Sequence, residues 1–335
     1  GDHRDLHSFP TRRSSDLSIW KNAILPSISY ECSVWLNNTK ESLSLLKSFQ
    51  YSMARAIFNI KCTPATTAIL GELGWLPINL ILDRFRIKYF HRMKYDLHDS
   101  RLCKQVFLAL GDKYSCGSCT AWPYFAELHK VLKNVGLDRA FNSNNQEWLQ
   151  PFMRLSLHSY TISFFQDIDE KTSLYWYRSF KRSTFGEKYL CKLNDFYGSK
   201  LKMMARTGCL SLNENQARWR ASDATCDLCS DGVEDLPHFL FLCPTLQPIR
   251  VKFYNQLEHK LKSIDAENVW LKYCSASILG KLNLFIGESA YDFGDIQGDI
   301  FDTVSKQFLA EAWDFRREST ITVTPASIDR TSVNM

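Results

Sequence analysis

The sequence predicts a mainly α-helical protein with a small metal-binding unit in its second half. Apolar residues recur at intervals of three and four in several stretches, which places them on one face of a helix. Cysteine and histidine residues occur in the spacing C-x2-C-x8-H-x4-C between Cys226 and Cys243. No apolar stretch approaches the roughly 20 residues that a membrane helix needs, so we expect no membrane partner.

Length and composition are those of a folded protein. A chain of 335 residues is long for one core and suggests two or three units. Hydrophobic residues make up 45% of the chain and charged residues 23%, which argues against wholesale disorder. The N-terminus lacks a hydrophobic signal core, so we expect a nuclear or cytoplasmic protein that is not secreted. Its eleven cysteines are then expected to be reduced thiols or metal ligands.

The first residues have an unusual character. Residues 7–17 read HSFPTRRSSDL, a string that resembles the translation of a synthetic sequencing adapter. We therefore expect residues 1–17 to be a disordered artefact, and the reading frame to be truncated upstream of Ser18. A natural disordered basic tail is the alternative.

Two helices are predicted early in the chain. Residues 40–61 place apolar residues on one face, and Cys62-Thr63-Pro64 should end that helix because a residue before proline avoids the helical region. Gly71 to Pro77 is predicted to be a turn, and residues 78–98 a second helix with a basic side. The apolar face of the first helix consists of Leu43, Leu46, Phe49, Met53, Ile57 and Ile60.

The rest of the chain continues the helical pattern. The pattern predicts a loop at 111–122, a helix from Trp122 to Lys133 and a linker at Asn142 to Asn145. Further on it predicts a helix over Val269 to Ile286 and an acidic turn at Asp292 to Gly298. An amphipathic helix is predicted from Ile300 to Arg317, and its apolar face consists of Phe301, Val304, Phe308, Ala312 and Phe315.

The strongest motif lies in TCDLCSDGVEDLPHFLFLCP, which begins at Thr225. Three thiolates and one imidazole form a standard closed set for structural zinc. Asp235 is expected to cap a short helix that presents His238, and Pro244 to stop that helix beside Cys243. The predicted ligands are Cys226, Cys229, His238 and Cys243.

Free thiols are the alternative interpretation of this motif. The complete set of four ligands within a short segment favours zinc. Cys116 and Cys119 form a second C-x2-C pair with His129 downstream, but no fourth ligand follows, so we expect those thiols to be free of metal.

Positive charge is concentrated before the motif. Residues 171–220 contain eleven lysines and arginines and three acidic residues, a net charge of +8 against +5 for the whole chain. Cations can neutralise phosphates, and exposed aromatic rings can stack on unpaired bases. We expect most of the interleaved aromatic residues to lie in the core instead. The candidate nucleic-acid-binding residues are Lys200, Lys202, Arg206, Arg218, Trp219, Arg220 and Arg250.

The segment LNENQARWRASDATCDLCSDGVEDLPHFLFLCPTLQPIR resembles the reverse-transcriptase zinc-binding segment that follows the polymerase in non-LTR (LINE-like) retrotransposons. The resemblance includes the acidic pair before His238, the Cys243-Pro244 step and the later Arg250. Upstream, ILPSISYECSVW and GELGWLPI resemble the helical stretch after the polymerase palm. The resemblance spans residues 18–250 and is most specific over 205–250. It implies a fragment of a polyprotein whose upstream RNA-directed DNA polymerase domain is missing.

The chain also departs from that family. The paired aspartates of the polymerase are absent, and two-metal polymerisation needs such carboxylates, so we expect no polymerase activity. Some relatives carry a nuclease after the zinc motif, but no Glu-x-Lys or Asp-x-Lys triplet accompanies the aspartates of this tail. We interpret these as a solvated loop and helix start: Asp292, Asp295, Asp299 and Asp302.

The first hypothesis is therefore a non-catalytic fragment of a transposable element that binds RNA or DNA and carries structural Zn²⁺. The alternatives are a zinc-stabilised protein-interaction scaffold and a residual endonuclease in the tail. The expected divisions are an artefact at 1–17, a thumb-like helical region at 18–110, a connector at 111–170, the basic segment with the zinc-binding domain at 171–260, and a helical tail at 261–335.

Overall fold

The computed structural model describes residues 19–33, 40–117, 123–190, 195–218, 220 and 222–322. These residues divide into two compact units. The first comprises residues up to 61, with 66–171 and 183–187, and the second comprises 62–65, 172–182 and 188 onward. Both are helical, which confirms the predicted fold class. The predicted boundaries at residues 110 and 260 fall inside these units.

Seven α-helices are described in the first unit. A π-helical turn precedes α1 and another follows α4, at Trp20–Ile24 and Arg92–Asp96. The helices are α1 (Leu25–Ser29), α2 (Lys40–Ile57), α3 (Thr66–Leu73), α4 (Ile78–His91), α5 (Leu102–Ser115), α6 (Pro123–Asn134) and α7 (Leu149–Glu170).

Several predicted boundaries in this unit are wrong. Gly71 lies inside α3, and the turn begins only at Gly74, whose φ of +64° suits a helix end. The Trp75 N–H donates to the Leu70 carbonyl at 2.9 Å, so this end is a Schellman turn. The helix predicted over 40–61 ends at Ile57, two residues before Asn59 adopts a φ of +49°.

The loop predicted at 111–122 is also partly wrong. α5 continues through Gly111 to Ser115 and ends beside Gly117, which has a φ of +70°. Gly111 faces the Phe125 ring, where a Cβ would be in ordinary contact at 3.7 Å. Glycine here therefore marks a packed helix position and not a break.

Seven α-helices and several short helical turns are described in the second unit. The turns are Thr172–Leu174, Lys188–Leu190, His238–Leu242, Pro244–Leu246 and Ser289–Phe293. The helices are α8 (Tyr177–Phe180), α9 (Phe196–Arg206), α10 (Asn213–Ala217), α11 (Gln247–Lys262), α12 (Glu267–Ser275), α13 (Ile278–Phe285) and α14 (Asp295–Thr322).

The long helix α14 organises the core of the second unit by packing against α9 and α11. Its predicted apolar face is confirmed at Phe301, Val304, Phe308 and Ala312, which are buried. Phe315 is wrongly assigned to that face, because it is exposed and Arg316 is buried instead.

Two further predictions in this unit need correction. The single helix expected over Val269 to Ile286 is two helices, with Ser277 capping α13 by accepting from the Gly280 N–H. The acidic turn expected at Asp292 to Gly298 is a short 3-10 turn followed by the start of α14 at Asp295.

A buried ion cluster joins α9 to α14. Asp302 was expected in solvent, but it is buried and its two oxygens bind Lys202 and Lys306 at 2.9 and 2.6 Å. Burial lowers the pKa of Lys202. One carboxylate thus contacts two ammonium groups inside the unit.

Replacing Asp302 with Asn should destabilise the second unit by about 3–5 kcal/mol, because it leaves two buried lysines without their counter-charge. Urea unfolding followed by circular dichroism measures this loss. Asp295→Asn is the matched control, since Asp295 pairs with Lys188 at the surface and should change stability by at most about 1 kcal/mol. Equal losses in the two variants would contradict the role given to Asp302.

Candidate metal centre

The first two ligand candidates lie on a tight loop. Thr225 and Val233 form an isolated antiparallel bridge, which closes the base of the loop. Within it, the Cys226 N–H donates to the Gly232 carbonyl at 3.0 Å, and the Ser230 N–H donates to the Cys226 carbonyl at 2.8 Å. Positive φ values of +53° at Ser230 and +74° at Gly232 let the chain reverse here. The Cys226 and Cys229 sulfurs are thereby directed toward the same point.

The other two candidates lie at opposite ends of one π-helical turn. As predicted, Asp235 caps this turn, its carboxylate accepting from the His238 N–H at 2.7 Å. The turn spans His238–Leu242, and its last hydrogen bond runs from the Cys243 N–H to the His238 carbonyl at 2.8 Å. An ideal α-helix would rotate residues five apart away from each other, whereas the wider π-turn brings them back toward one side.

The four ligand atoms meet at one point. Each residue offers a sulfur or ring nitrogen, and all four atoms lie within 4.8 Å of one another. Cys229 Sγ is 3.3 Å from His238 Nε2, and Cys226 Sγ is 4.0 Å from Cys243 Sγ. A tetrahedral ion with bonds of about 2.0–2.3 Å would place its ligand atoms about 3.5–3.8 Å apart. The group can therefore hold a metal ion, as the motif predicted.

Burial makes this group unstable as a set of bare thiolates. Cys226, His238 and Cys243 are buried, with His238 at 9% exposed, while Cys229 is partly exposed. Burial raises the pKa of Cys226 to about 12. A thiol in such surroundings keeps its proton unless a cation replaces it. The arrangement is suited to exchanging thiol protons for one metal ion, and its four protein ligands leave no position for a reactive water.

Arg250 closes the far end of the ligand turn. It was predicted to contact nucleic acid, but it is only 3% exposed. Its Nε donates to the Leu240 carbonyl at 3.0 Å and its Nη2 to the Cys243 carbonyl at 2.9 Å, and it also binds Gln247. A guanidinium suits this task because its planar fork reaches several acceptors at once. Arg250 thus holds the backbone that carries Cys243.

A buried ion pair lies on the other side of the cluster. Glu234 is fully buried, and its two oxygens bind Arg316 at 2.6 Å each. The Asn213 N–H donates to Glu234 at 2.8 Å, and the Asn213 amide donates to the Thr225 carbonyl at 2.7 Å. Arg316 escaped the sequence analysis. One feature of the sequence could have identified it. Arg316 lies four positions after Ala312, which places a charged residue on the apolar face of α14, and a buried arginine almost always has a partner.

Two other predicted nucleic-acid-binding residues belong to the interior. Arg206 has no exposed surface and donates to the Ile286 carbonyl at 2.9 Å, with its guanidinium over the rings of Phe180 and Tyr189. Lys202 is held in the cluster with Asp302. Neither side chain has a surface to offer to a phosphate, so we remove both, with Arg250, from the candidate interface.

Arg218 and Arg220 remain at the surface, beside the loop of Cys226. Arg218 pairs with Glu214 at 2.6 Å, and the backbone N–H of Arg220 donates to the Gln216 carbonyl at 3.0 Å. Lys200 is half-buried and has contacts of its own. Trp219 lies outside the described residues.

Much of the basic segment is neutralised within the protein. Arg182 binds Asp292 at 2.7 Å and Lys188 binds Asp295 at 2.8 Å, while Lys181 is buried. Asp292 and Asp295 are therefore engaged by cations of the same unit. A high net charge in sequence does not translate into an equally charged surface.

The prediction that most aromatic residues of this segment lie in the core is only partly correct, because Tyr175, Phe185 and Tyr197 are exposed. Tyr177, Phe180 and Tyr189 are fully buried. Tyr175 is the clearest exception among the described rings of the second unit, at 55% exposed. In the second C-x2-C pair, Cys116 is exposed at the end of α5, and Cys119 lies outside the described residues.

Comparisons of this chain with protein-family models, with curated proteins and with solved structures found no match. No described helix combines the length and the apolar character required to cross a membrane.

Arg250→Gln should lower the free energy of unfolding by about 2–3 kcal/mol, because the carbonyls of Leu240 and Cys243 lose a charged donor. Chemical denaturation of the chain measures the change. Lys252→Gln on the same helix is the control, since Lys252 is exposed and pairs only at the surface. Stability equal to that of the control would refute the clamping role of Arg250.

Proposed function

We propose that Cys226, Cys229, His238 and Cys243 bind one structural Zn²⁺ ion. The observation that carries the proposal is the convergence of their four ligand atoms within 4.8 Å. Three sulfurs and one nitrogen are ligands that zinc accepts in tetrahedral geometry, whereas magnesium and calcium prefer oxygen. The closed ligand set suits a structural ion and not a catalytic one.

The wider proposal is a non-catalytic, nucleic-acid-binding fragment of a retrotransposon reverse-transcriptase polyprotein. Its support is the resemblance of residues 205–250 to the zinc-binding segment of those proteins, together with two exposed arginines beside the ligand loop. Arg218 and Arg220 are both exposed there. In this proposal zinc fixes the loop, and the loop holds the arginines where phosphates of RNA or DNA can reach them.

A zinc-stabilised protein-interaction scaffold is the second candidate. One observation favours it, because Lys202, Arg206 and Arg250 are buried and Arg182 and Lys188 are paired with aspartates. The basic segment then serves internal packing, and its remaining charge serves solubility.

Protein purified without chelators should contain one zinc ion per chain. Cys226→Ser and Cys243→Ser should lose most of it, because a hydroxyl is a poor substitute for a thiolate ligand. Metal analysis of the purified variants measures the ratio, and Cys274→Ser is the control because Cys274 is exposed and lies outside the cluster. A zinc content near zero in the unaltered protein would refute the metal proposal.

Chelation should also weaken the second unit. With free zinc about a thousandfold above its dissociation constant, the ion contributes about 4 kcal/mol to folding, and that contribution is lost on removal. Denaturant unfolding with and without chelator measures the difference. An unchanged midpoint would show that the ion, where bound, does not support the fold.

Nucleic-acid binding should weaken as salt rises. In the double variant Arg218→Gln/Arg220→Gln the slope of log affinity against log salt should decrease by about 1.5, because two phosphate contacts are lost. Fluorescence anisotropy with labelled single-stranded RNA and DNA measures both slopes. Lys260→Gln/Lys272→Gln removes the same charge elsewhere in the second unit. Equal effects of the two double variants, or unchanged affinity, would favour the scaffold.

A further inference from the structure

The metal centre carries negative charge when zinc occupies it, because three thiolates outweigh one divalent ion and the imidazole is neutral. Glu234 adds a second negative group. Its Oε1 lies 4.0 Å from Cys226 Sγ, and the residue has no exposed surface. Like charges this close repel strongly where water is excluded. A positive group must offset them.

Two buried guanidinium groups meet this requirement. Arg316 binds both oxygens of Glu234, and Arg250 binds the carbonyl of Cys243 itself. Arg316 and Arg250 are 5% and 3% exposed, so solvent contributes little to their charge balance. The two positive charges are equal in number and opposite in sign to the negative charges of the zinc centre and Glu234.

Arg316 is also connected to the backbone next to the first ligand. Its Nη2 donates to the Asn213 side-chain oxygen at 3.2 Å, and the Asn213 amide donates to the Thr225 carbonyl at 2.7 Å. Thr225 directly precedes Cys226. The helix α14 is therefore joined to the ligand loop in two ways. Arg316 pairs with Glu234, and it also reaches the Thr225 backbone through the side chain of Asn213.

We propose that Arg316 is a positioning residue for the zinc centre, and that zinc binding and the docking of α14 are thermodynamically linked. The inference rests on the proposed zinc site. Linkage is reciprocal: if docked α14 raises zinc affinity, bound zinc stabilises the docked helix to the same extent. Arg316 acts on the metal through Glu234 and Asn213 and touches no ligand atom in this role.

The test compares zinc affinities by competition with a chromogenic chelator. Arg316→Gln should weaken zinc binding about tenfold or more, as loss of groups supporting metal ligands does. Arg317→Gln is the matched control, since that side chain is 57% exposed on the next position of α14. It should bind zinc within about twofold of the unaltered chain.

A double variant separates charge balance from general damage. Glu234→Gln/Arg316→Gln removes one buried charge of each sign, so it should recover about half or more of the logarithmic loss seen in Arg316→Gln. Equal zinc affinity in Arg316→Gln and Arg317→Gln overturns the linkage, as does a double variant no better than Arg316→Gln. Absence of zinc from the unaltered protein would instead refute the zinc proposal.

Hydrogen exchange on the unaltered chain tests the same linkage without a variant. Removing zinc should speed amide exchange in the second half of α14 as well as in residues 224–243, whereas α7 in the other unit should not change. Faster exchange confined to residues 224–243 overturns the proposal.

Discussion

Three cysteine sulfurs and one histidine nitrogen are held within 4.8 Å of one another, and two of the three sulfurs are buried. As bare thiolates these sulfurs would repel one another. That constraint explains much of the second unit. The loop at Cys226 contains two residues with positive φ, Ser230 and Gly232, and the turn that begins at His238 is a π-turn. The side chains of Asn213 and Arg250 donate hydrogen bonds to backbone carbonyls of the loop and of the turn. Arg250 on α11 and Arg316 on α14 bind the backbone of Cys243 and the side chain of Glu234, so helices of the core are connected directly to the cluster.

The same unit handles its other buried charges in a similar way. Asp302 binds both Lys202 and Lys306. The guanidinium of Arg206 lies over the rings of Phe180 and Tyr189. Charges in such surroundings are tolerated only with partners in place. Lys202, Arg206 and Arg250, which suggest phosphate binding in the sequence, are therefore part of the interior, whereas Arg218 and Arg220 are exposed.

The helical class and the grouping of Cys226, Cys229, His238 and Cys243 could be predicted from the sequence, because periodicity and the spacing of these residues are local properties of the chain. Helix ends were less predictable. The sequence predicts breaks at Gly71 and Gly111, yet both residues lie inside helices, since a glycine in the sequence does not reveal what packs against it. The roles of Arg206 and Arg316 could not be derived, because their partners Ile286 and Glu234 lie 80 and 82 residues away in sequence. The role of Arg250 could not be derived because its acceptors are mainly backbone carbonyls, which carry no side-chain signal. An arginine on the apolar stripe of α14 was the only local sign.

The long separation between Arg316 and its partner Glu234 has a consequence for the order of synthesis. The ribosome makes the loop and the ligand turn first, and the guanidinium that neutralises Glu234 only after the helices α11, α12 and α13 and most of α14. Without Arg316, burial of Glu234 would leave a carboxylate with no counter-ion, which disfavours closure of the ligand loop before α14 is present. Synthesis of α14, and not the appearance of the cysteines, is therefore the event that allows this interior to close.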